Sequence, residues 1–194
     1  YKYLVRASSR TTPIGLMANV ALGHFSFDEE SYIEKSDNVH KKLLISYSWI
    51  YKLVKDLQKN QNVLDKISVI WNKSTYATSS RIRNPNFANH GVTELNEHKN
   101  TSIRFTKLIQ IIKDNTNSYK KYSELVDLIE ICYEGISKEK IISTINTLIE
   151  KEYLFTELRV PVYCQNPAVY VLSVLKKNNL SEDLQCKLRE IINE

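Results

Sequence analysis

The residues best suited to chemistry stand near the start of the chain, where two arginines precede a pair of hydroxyl groups. Arg6 and Arg10 are four residues apart, so they share one face if this stretch is helical. Thr11 and Thr12 follow, and Pro13 then interrupts regular structure. One guanidinium group can bind two oxygens of a carboxylate or phosphate at once, and hydroxyl groups can add further hydrogen bonds. The pattern is therefore compatible with an anion site, the alternative being an ordinary helix end with solvated arginines.

The segment that carries this pattern resembles a known signature. It reads Arg6-Ala-Ser-Ser-Arg10-Thr-Thr12-Pro13-Ile14-Gly15-Leu16-Met17. This run is similar to the Arg-x-x-x-Arg-x-Thr-Pro-Phe-Gly-Leu-Phe segment in the N-terminal glutamylation region of the class I lantibiotic dehydratases. At the two Phe positions this chain has Ile14 and Met17, which are also large and apolar.

The resemblance implies part of an enzyme. Members of the family transfer glutamate from glutamyl-tRNA to Ser and Thr side chains of a precursor peptide, and a separate domain then eliminates it to leave a dehydroamino acid. On this likeness the expected catalytic residues are Arg6, Arg10 and Thr12, with both arginines contacting the tRNA. Glutamyl-tRNA is then a co-substrate, and no other cofactor is expected. Because members are several times longer and this chain begins at Tyr1, we expect more chain on both sides and no turnover by this piece alone.

Composition narrows the classes of protein. The 194 residues suit one domain or two small ones, and the net charge of +5 is compatible with a polyanionic partner such as RNA. The cysteines Cys132, Cys164 and Cys186 are scattered, which predicts free thiols in a reducing compartment and argues against a zinc site. No apolar run approaches the roughly 18 residues of a membrane span, and no signal peptide is visible. We therefore expect a cytoplasmic protein without a metal.

A helix is predicted to begin near Ser46 and to end near Leu57. Trp49, Leu53 and Leu57 recur at helical spacing and predict a buried face, with apolar residues at 50 and 54 beside it. In the resembled family an Asp commonly stands three residues before the Trp and belongs to the glutamylation site. Here that position is Ser46, whose hydroxyl can cap a helix or donate to an oxyanion but cannot act as a carboxylate base.

Extended segments dominate the rest of residues 1–91, which we interpret as the N-terminal α+β part of the glutamylation region. Apolar runs predict strands at 14–27, 39–45, 67–71 and 75–82. The last two flank Asn72-Lys73-Ser74 and predict a hairpin, while 83–91 predicts a loop. The family also tends to show an Asn-x-x-x-Tyr motif followed by Arg, which the chain matches with Asn72, Tyr76 and Arg81, expected to be structural.

Residues 92–158 predict three short helices followed by a strand. Extended pieces at 92–97 and 102–105 precede helical patterns that begin at 108, 122 and 137, with Gly135 in the middle turn, and 153–160 is again extended. This order is typical of a winged helix-turn-helix. Residues 159–194 predict two further helices, 168–177 after Pro167 at the first helical position and one from Ser181 to Ile192. The predicted class is α+β, with small antiparallel sheets.

In the resembled family the winged helix-turn-helix recognises the leader of the precursor peptide, which adds as a strand to a sheet edge and rests on the third helix. Main-chain hydrogen bonds would supply affinity, and pockets that accept alternate side chains of the leader would supply specificity. The expected leader-binding residues, equally compatible with ordinary core positions, are Ile103, Phe105, Leu108, Lys140, Ile141 and Thr144.

Three other functions stay open. A winged helix most often binds DNA through its third helix, but here three lysines are balanced by three glutamates, which weakens that reading. The chain is also compatible with a winged-helix module that binds peptide without catalysis, or with a relative that appends amino acids to peptides from aminoacyl-tRNA. Members of the family tend to dimerise, so a homodimer is open as well.

Overall fold

The computed structural model describes residues 1–9, 45–88, 98–133 and 135–193. Two compact units divide the chain, Tyr1–Lys42 and Leu43–Glu194. The described helices are α1 (Lys2–Ser9), α2 (Tyr47–Leu57), α3 (Gln61–Leu64), α4 (Lys107–Asn115), α5 (Tyr122–Cys132), α6 (Lys138–Glu150), α7 (Pro167–Lys177) and α8 (Glu182–Asn193). The described strands are β1 (Ser68–Trp71), β2 (Tyr76–Thr78), β3 (Arg81–Ala88), β4 (His98–Arg104), β5 (Lys120–Lys121) and β6 (Leu154–Thr156). This content confirms the predicted α+β class. The strand predictions at 14–27 and 92–97, and almost all of that at 39–45, lie outside the described residues, and the predicted boundaries after 91 and 158 stay predictions.

The first sheet has the order β5-β1-β6 and is antiparallel throughout. The predicted hairpin of 67–71 with 75–82 is therefore wrong, because β1 pairs with β5 and β6 rather than with β2. Tertiary hydrogen bonds explain the difference: the Trp71 amide donates to the Thr116 carbonyl (2.8 Å) and the Asn72 amide to the Tyr153 carbonyl (2.9 Å). The main-chain donors at the end of β1 are thus taken by elements far along the chain.

The second sheet has the order β2-β3-β4 and is also antiparallel. Ser79 has a positive φ of 52° in the two-residue turn between β2 and β3. The loop predicted at 83–91 is wrong for residues 83–88, which belong to β3. Asn84, which reads as a turn former in the sequence, is fully buried, and its Nδ2 donates to the carbonyls of Lys151 and Glu152 (3.2 Å each).

Helix α2 begins where the sequence predicts but buries a different face. Its N-cap is Ser46, whose carbonyl accepts from the amides of residues 49 and 50 (3.1 and 3.2 Å) while its side chain makes no capping hydrogen bond. Ile50 and Val54 are buried, whereas Trp49 is 43% exposed, so the prediction of an inward Trp49 is wrong. Leu53 and Leu57 are partly buried against the core.

Helices α4, α5 and α6 confirm the helical patterns of residues 108–151, because their apolar stripes meet in one core with β1 and β6. Strand β6 ends at Thr156, where the Arg159 amide donates back to the Thr156 carbonyl (3.0 Å), so the extended prediction for 153–160 is too long. Helix α7 starts with Pro167 at its first turn, and the Asn166 side chain accepts from the Val169 amide (3.3 Å).

A buried carboxylate joins α7 to the first sheet. The Glu157 Oε1 atom accepts from the Ser68 amide (2.9 Å) and from Asn178 Nδ2 (3.0 Å), and its Oε2 accepts from Lys177 Nζ (2.8 Å). Burial alone would raise the pKa of Glu157. The hydrogen bonds from Lys177, Ser68 and Asn178, with the Lys177 charge, outweigh burial and leave that pKa lowered.

Replacing Glu157 by Gln should therefore destabilise the fold and remove part of its acid sensitivity. A carboxyl whose folded pKa is depressed stabilises the fold above its unfolded pKa of about 4.3, and loses that contribution as the pH falls through the lower folded value. We expect Glu157→Gln to cost about 1–3 kcal/mol at pH 7, with a smaller loss on acidification than in the parent chain. Urea unfolding at pH 7 and at pH 3 measures both. Asp56→Asn, at an exposed pair with Lys59, is the control and should change little; equal effects of the two variants would contradict a buried anchor at Glu157.

Candidate functional site

The predicted anion site is only partly within the described residues. Arg6 lies in α1, and Arg10 and Thr12 lie outside the described residues, so the shared face of the two arginines stays a prediction. The assignment of these three residues to the tRNA or to catalysis stays a prediction.

The apolar residues predicted to bind a leader peptide lie in or against one hydrophobic core. Ile103 is on β4 opposite Ile82, and both it and Phe105 are partly buried against the core. Leu108, in the first turn of α4, is 9% exposed, and Ile141 on α6 is fully buried. The Ile141 side chain therefore lies in the core and is not on the surface where a peptide would bind.

The two polar residues of the predicted groove are on the accessible side of α6. Lys140 is exposed, and Thr144 is partly exposed with its hydroxyl donating to the Lys140 carbonyl (2.7 Å). Contact of these residues with a peptide stays a prediction.

Strand β4 has main-chain groups that point away from its partner. The Phe105 amide donates to the Ser80 carbonyl (2.7 Å), and the register pairs Arg81 with Arg104. Hydrogen-bonded and non-hydrogen-bonded positions alternate along an antiparallel pair. Because residues 80 and 105 are hydrogen-bonded, Ile82 and Ile103 also form a hydrogen-bonded pair. The amides and carbonyls of Ser102 and Arg104 therefore point away from β3. Among the described residues no strand pairs with this side of β4, which we call the free edge.

The same register gathers arginines on one exposed face. Arg81 lies opposite Arg104, and Arg83 follows two residues later on the same face of β3. All three are exposed. The sequence motif predicted only a structural role for Arg81 and did not reveal this set of three arginines. The signal that could have revealed it was the Arg-x-Arg spacing at 81 and 83.

A second charged cluster surrounds Glu152, which follows α6 and is 6% exposed. Its carboxylate accepts from the Tyr51 hydroxyl (2.6 Å) and pairs with Lys55 (3.4 Å) and Arg159 (3.5 Å). Burial, the hydrogen bond to Glu152 and the Glu152 charge raise the pKa of Tyr51 above its ordinary value. The Glu152 carboxylate therefore joins α2 to the segment after β6.

Other chemistry has little support in the described part of the chain. There, no three His, Cys, Asp or Glu side chains come together in a way that could hold a metal ion. Cys132, Cys164 and Cys186 form no disulfide, as predicted. No helix in the described ranges has the length and apolar character needed to cross a membrane.

Comparison with known sequences adds a family. Residues 1–194 match the family described as "Lantibiotic dehydratase, N terminus". The chain is 33% identical over 178 residues to the epidermin biosynthesis protein EpiB of Staphylococcus epidermidis, covering 92% of this chain and 18% of that protein. It is 25% identical over 183 residues to the subtilin biosynthesis protein SpaB of Bacillus subtilis, covering 94% of this chain and 17% of SpaB. It is 27% identical over 160 residues to the nisin biosynthesis protein NisB of Lactococcus lactis subsp. lactis, covering 82% of this chain and 15% of NisB.

A solved structure agrees at the level of the fold. The tRNA dependent lantibiotic dehydratase MibB from Microbispora sp. 107891 matches with a TM-score of 0.63 and 18% identity, covering 74% of this chain and 14% of MibB. The chain spans 18% or less of the length of each of these relatives. With the family match over its whole length, the chain belongs to the lantibiotic dehydratase family, in the N-terminal region.

Proposed function

We propose that this chain is the part of a lantibiotic dehydratase that binds the leader of a precursor peptide and contributes to tRNA-dependent glutamylation of its Ser and Thr residues. Family membership supports the reaction class, and the tRNA dependence of MibB supports the co-substrate. Glutamyl-tRNA would bring the activated acyl group, so no further cofactor is needed. Use of aminoacyl-tRNA also favours the cytoplasm.

The observation that carries leader binding is the free edge of β4. Its outward groups at Ser102 and Arg104 are the kind to which an extended peptide can add a strand. Phe105, Lys140 and Thr144 would then flank the added strand. We assign residues 92–158 to a winged helix-turn-helix, with α6 as its third helix, and the order of α4, α5, α6 and β6 supports this assignment.

The charges of α6 favour a peptide over duplex DNA. Lys138 Nζ is 3.1 Å from Asp127 Oδ1 and 3.6 Å from Glu130 Oε2, so its charge is already paired. Glu139 and Glu150 are exposed on the same helix. A recognition helix that follows a phosphate backbone needs net positive charge, which α6 does not offer.

Leader binding by strand addition predicts an alternating response to loss of peptide N–H groups. The probe is a synthetic leader of the epidermin precursor, chosen because EpiB is 33% identical to this chain. N-methylation at every second residue, on the side facing β4, should weaken binding about tenfold or more, since each lost hydrogen bond is worth about 0.5–1.5 kcal/mol. Fluorescence anisotropy measures the affinity.

The matched control carries the same number of methyl groups shifted by one residue, where the N–H groups face away from β4. It should bind within about twofold of the unmodified peptide. Equal weakening by both patterns, or binding of neither parent peptide nor control, would contradict strand addition.

The arginine assignment predicts a loss of glutamylation in the full-length parent protein. Arg6→Ala and Arg10→Ala should each reduce transfer from glutamyl-tRNA about a hundredfold, the usual effect of removing one preorganised charge contact. Single-turnover assays with radiolabelled glutamyl-tRNA measure the step. Lys2→Ala, which removes an exposed cation from the same α1 helix, is the control. Full transfer by both arginine variants would refute the assignment without touching leader binding.

A further inference from the structure

We propose that Arg81 is a clasp on the free edge of β4: it covers the edge in the unbound protein, and a peptide strand carrying a carboxylate releases it. This inference rests on the proposed leader binding and adds the kind of peptide that the edge selects. The peptide it favours has an acidic side chain on the face it shares with the arginines.

The clasp is visible in the contacts of Ser102. Arg81 Nε donates to Ser102 Oγ (3.0 Å), and Arg81 Nη2 donates to the Ser102 main-chain carbonyl (3.0 Å). That carbonyl points outward, so it is an acceptor that an added strand would use. The other outward acceptor, the Arg104 carbonyl, receives the Thr106 amide (3.1 Å). Both acceptors are thus occupied in this structure.

Such an arrangement protects an edge strand. Unpaired main-chain groups on an edge invite pairing with any extended chain, and charged side chains on the edge commonly prevent it. A neutral strand would have to displace the Arg81 guanidinium from Ser102 without offering it a new partner. The clasp therefore disfavours unselective strand addition.

The charge on this face favours an acidic peptide. Strands β2, β3 and β4 contain no Asp or Glu, and Arg81 and Arg104 are directly opposite one another. Like charges at facing positions repel. Arg83 and Arg104 have no carboxylate within ion-pair distance among the described residues. A carboxylate brought to this face would relieve the repulsion.

Strand addition would put the carboxylate within reach. Side chains of a strand alternate between faces, and neighbouring strands lie about 4.8 Å apart. A residue paired with Ser102 would place its side chain on the arginine face. Arg81 could then exchange its bonds to the neutral Ser102 oxygens for a bidentate, charge-assisted pair, which is stronger. The Ser102 carbonyl, once free, would accept a peptide N–H.

The experiment compares affinities of two peptides for the chain and its variants. The peptides are the epidermin-precursor leader and the same peptide with its Asp and Glu residues replaced by Asn and Gln. The parent chain should bind the acidic form about tenfold more tightly, as a charge-assisted pair replaces neutral hydrogen bonds. In Arg81→Gln this ratio should fall to about twofold. The peptide with Asn and Gln should bind to Arg81→Gln at least as tightly as it binds to the parent chain.

Arg83→Gln is the matched control, because it removes the same charge from the same face and leaves the bonds to Ser102 in place. It should keep most of the ratio. Equal reduction of the ratio by both variants would overturn the clasp and would instead indicate general electrostatic attraction between the acidic peptide and the arginines. Unchanged ratios in both, with weaker binding of bulk tRNA in both, would overturn it in favour of an RNA surface.

The clasp and the proposed function fail in different ways. Binding of neither peptide by the parent chain would contradict leader binding itself, and with it the clasp. Binding with a ratio that ignores Arg81 would contradict the clasp alone. Because Arg81 is exposed, thermal melts of both variants should match the parent chain, and a lower melting temperature of Arg81→Gln would itself contradict a clasp that acts only at the edge.

Discussion

The main-chain carbonyl of Glu152 is the acceptor on which the arrangement of the two sheets depends. It receives Asn72 Nδ2 from the end of β1 (2.8 Å) and Asn84 Nδ2 from the middle of β3 (3.2 Å). Glu152 adopts a positive φ of 58° directly after α6, a conformation that costs a non-glycine residue about 1–3 kcal/mol. Its carboxylate is anchored by Tyr51, Lys55 and Arg159, so side-chain contacts hold the strained backbone in place. One residue thereby connects α2, α6 and both sheets.

From this junction the properties of the free edge follow. Asn84 is buried within β3, which fixes that strand against the core and leaves its other face, with Arg81 and Arg83, toward solvent. The two-residue turn at Ser79 then sets the pairing with β2 and, by alternation, with β4. The outward direction of the Ser102 carbonyl is a consequence of that register.

The chain uses its charges in two distinct ways. Around Glu152 and Glu157, carboxylates are buried and surrounded by donors, an arrangement that ties elements together. On the sheet β2-β3-β4, cations are exposed and near one another without acidic residues in those strands. The first pattern is typical of structural anchoring and the second of recognition. The proposed binding of a precursor peptide rests on the second pattern.

The sequence by itself determined the elements whose stability is local. Helices α5, α6 and α7 follow from apolar residues at helical spacing, and Pro167 correctly marked the start of α7, because these signals act within a few residues of one another. The signature around Arg6 likewise identified the family, since it is written in one continuous run.

Only the tertiary structure decided which strands pair and which side chains meet. The hairpin predicted beside Asn72 is wrong because β1 pairs with β5 and β6. The loop predicted at Asn84 is a strand because the Asn84 side-chain amide donates to the carbonyls of Lys151 and Glu152, which are 67 and 68 positions further along the chain. The contact of Arg81 with Ser102 joins residues 21 positions apart. Such contacts depend on strand register, which no local pattern encodes, because it is set by the main-chain hydrogen bonds and buried side chains of the whole fold.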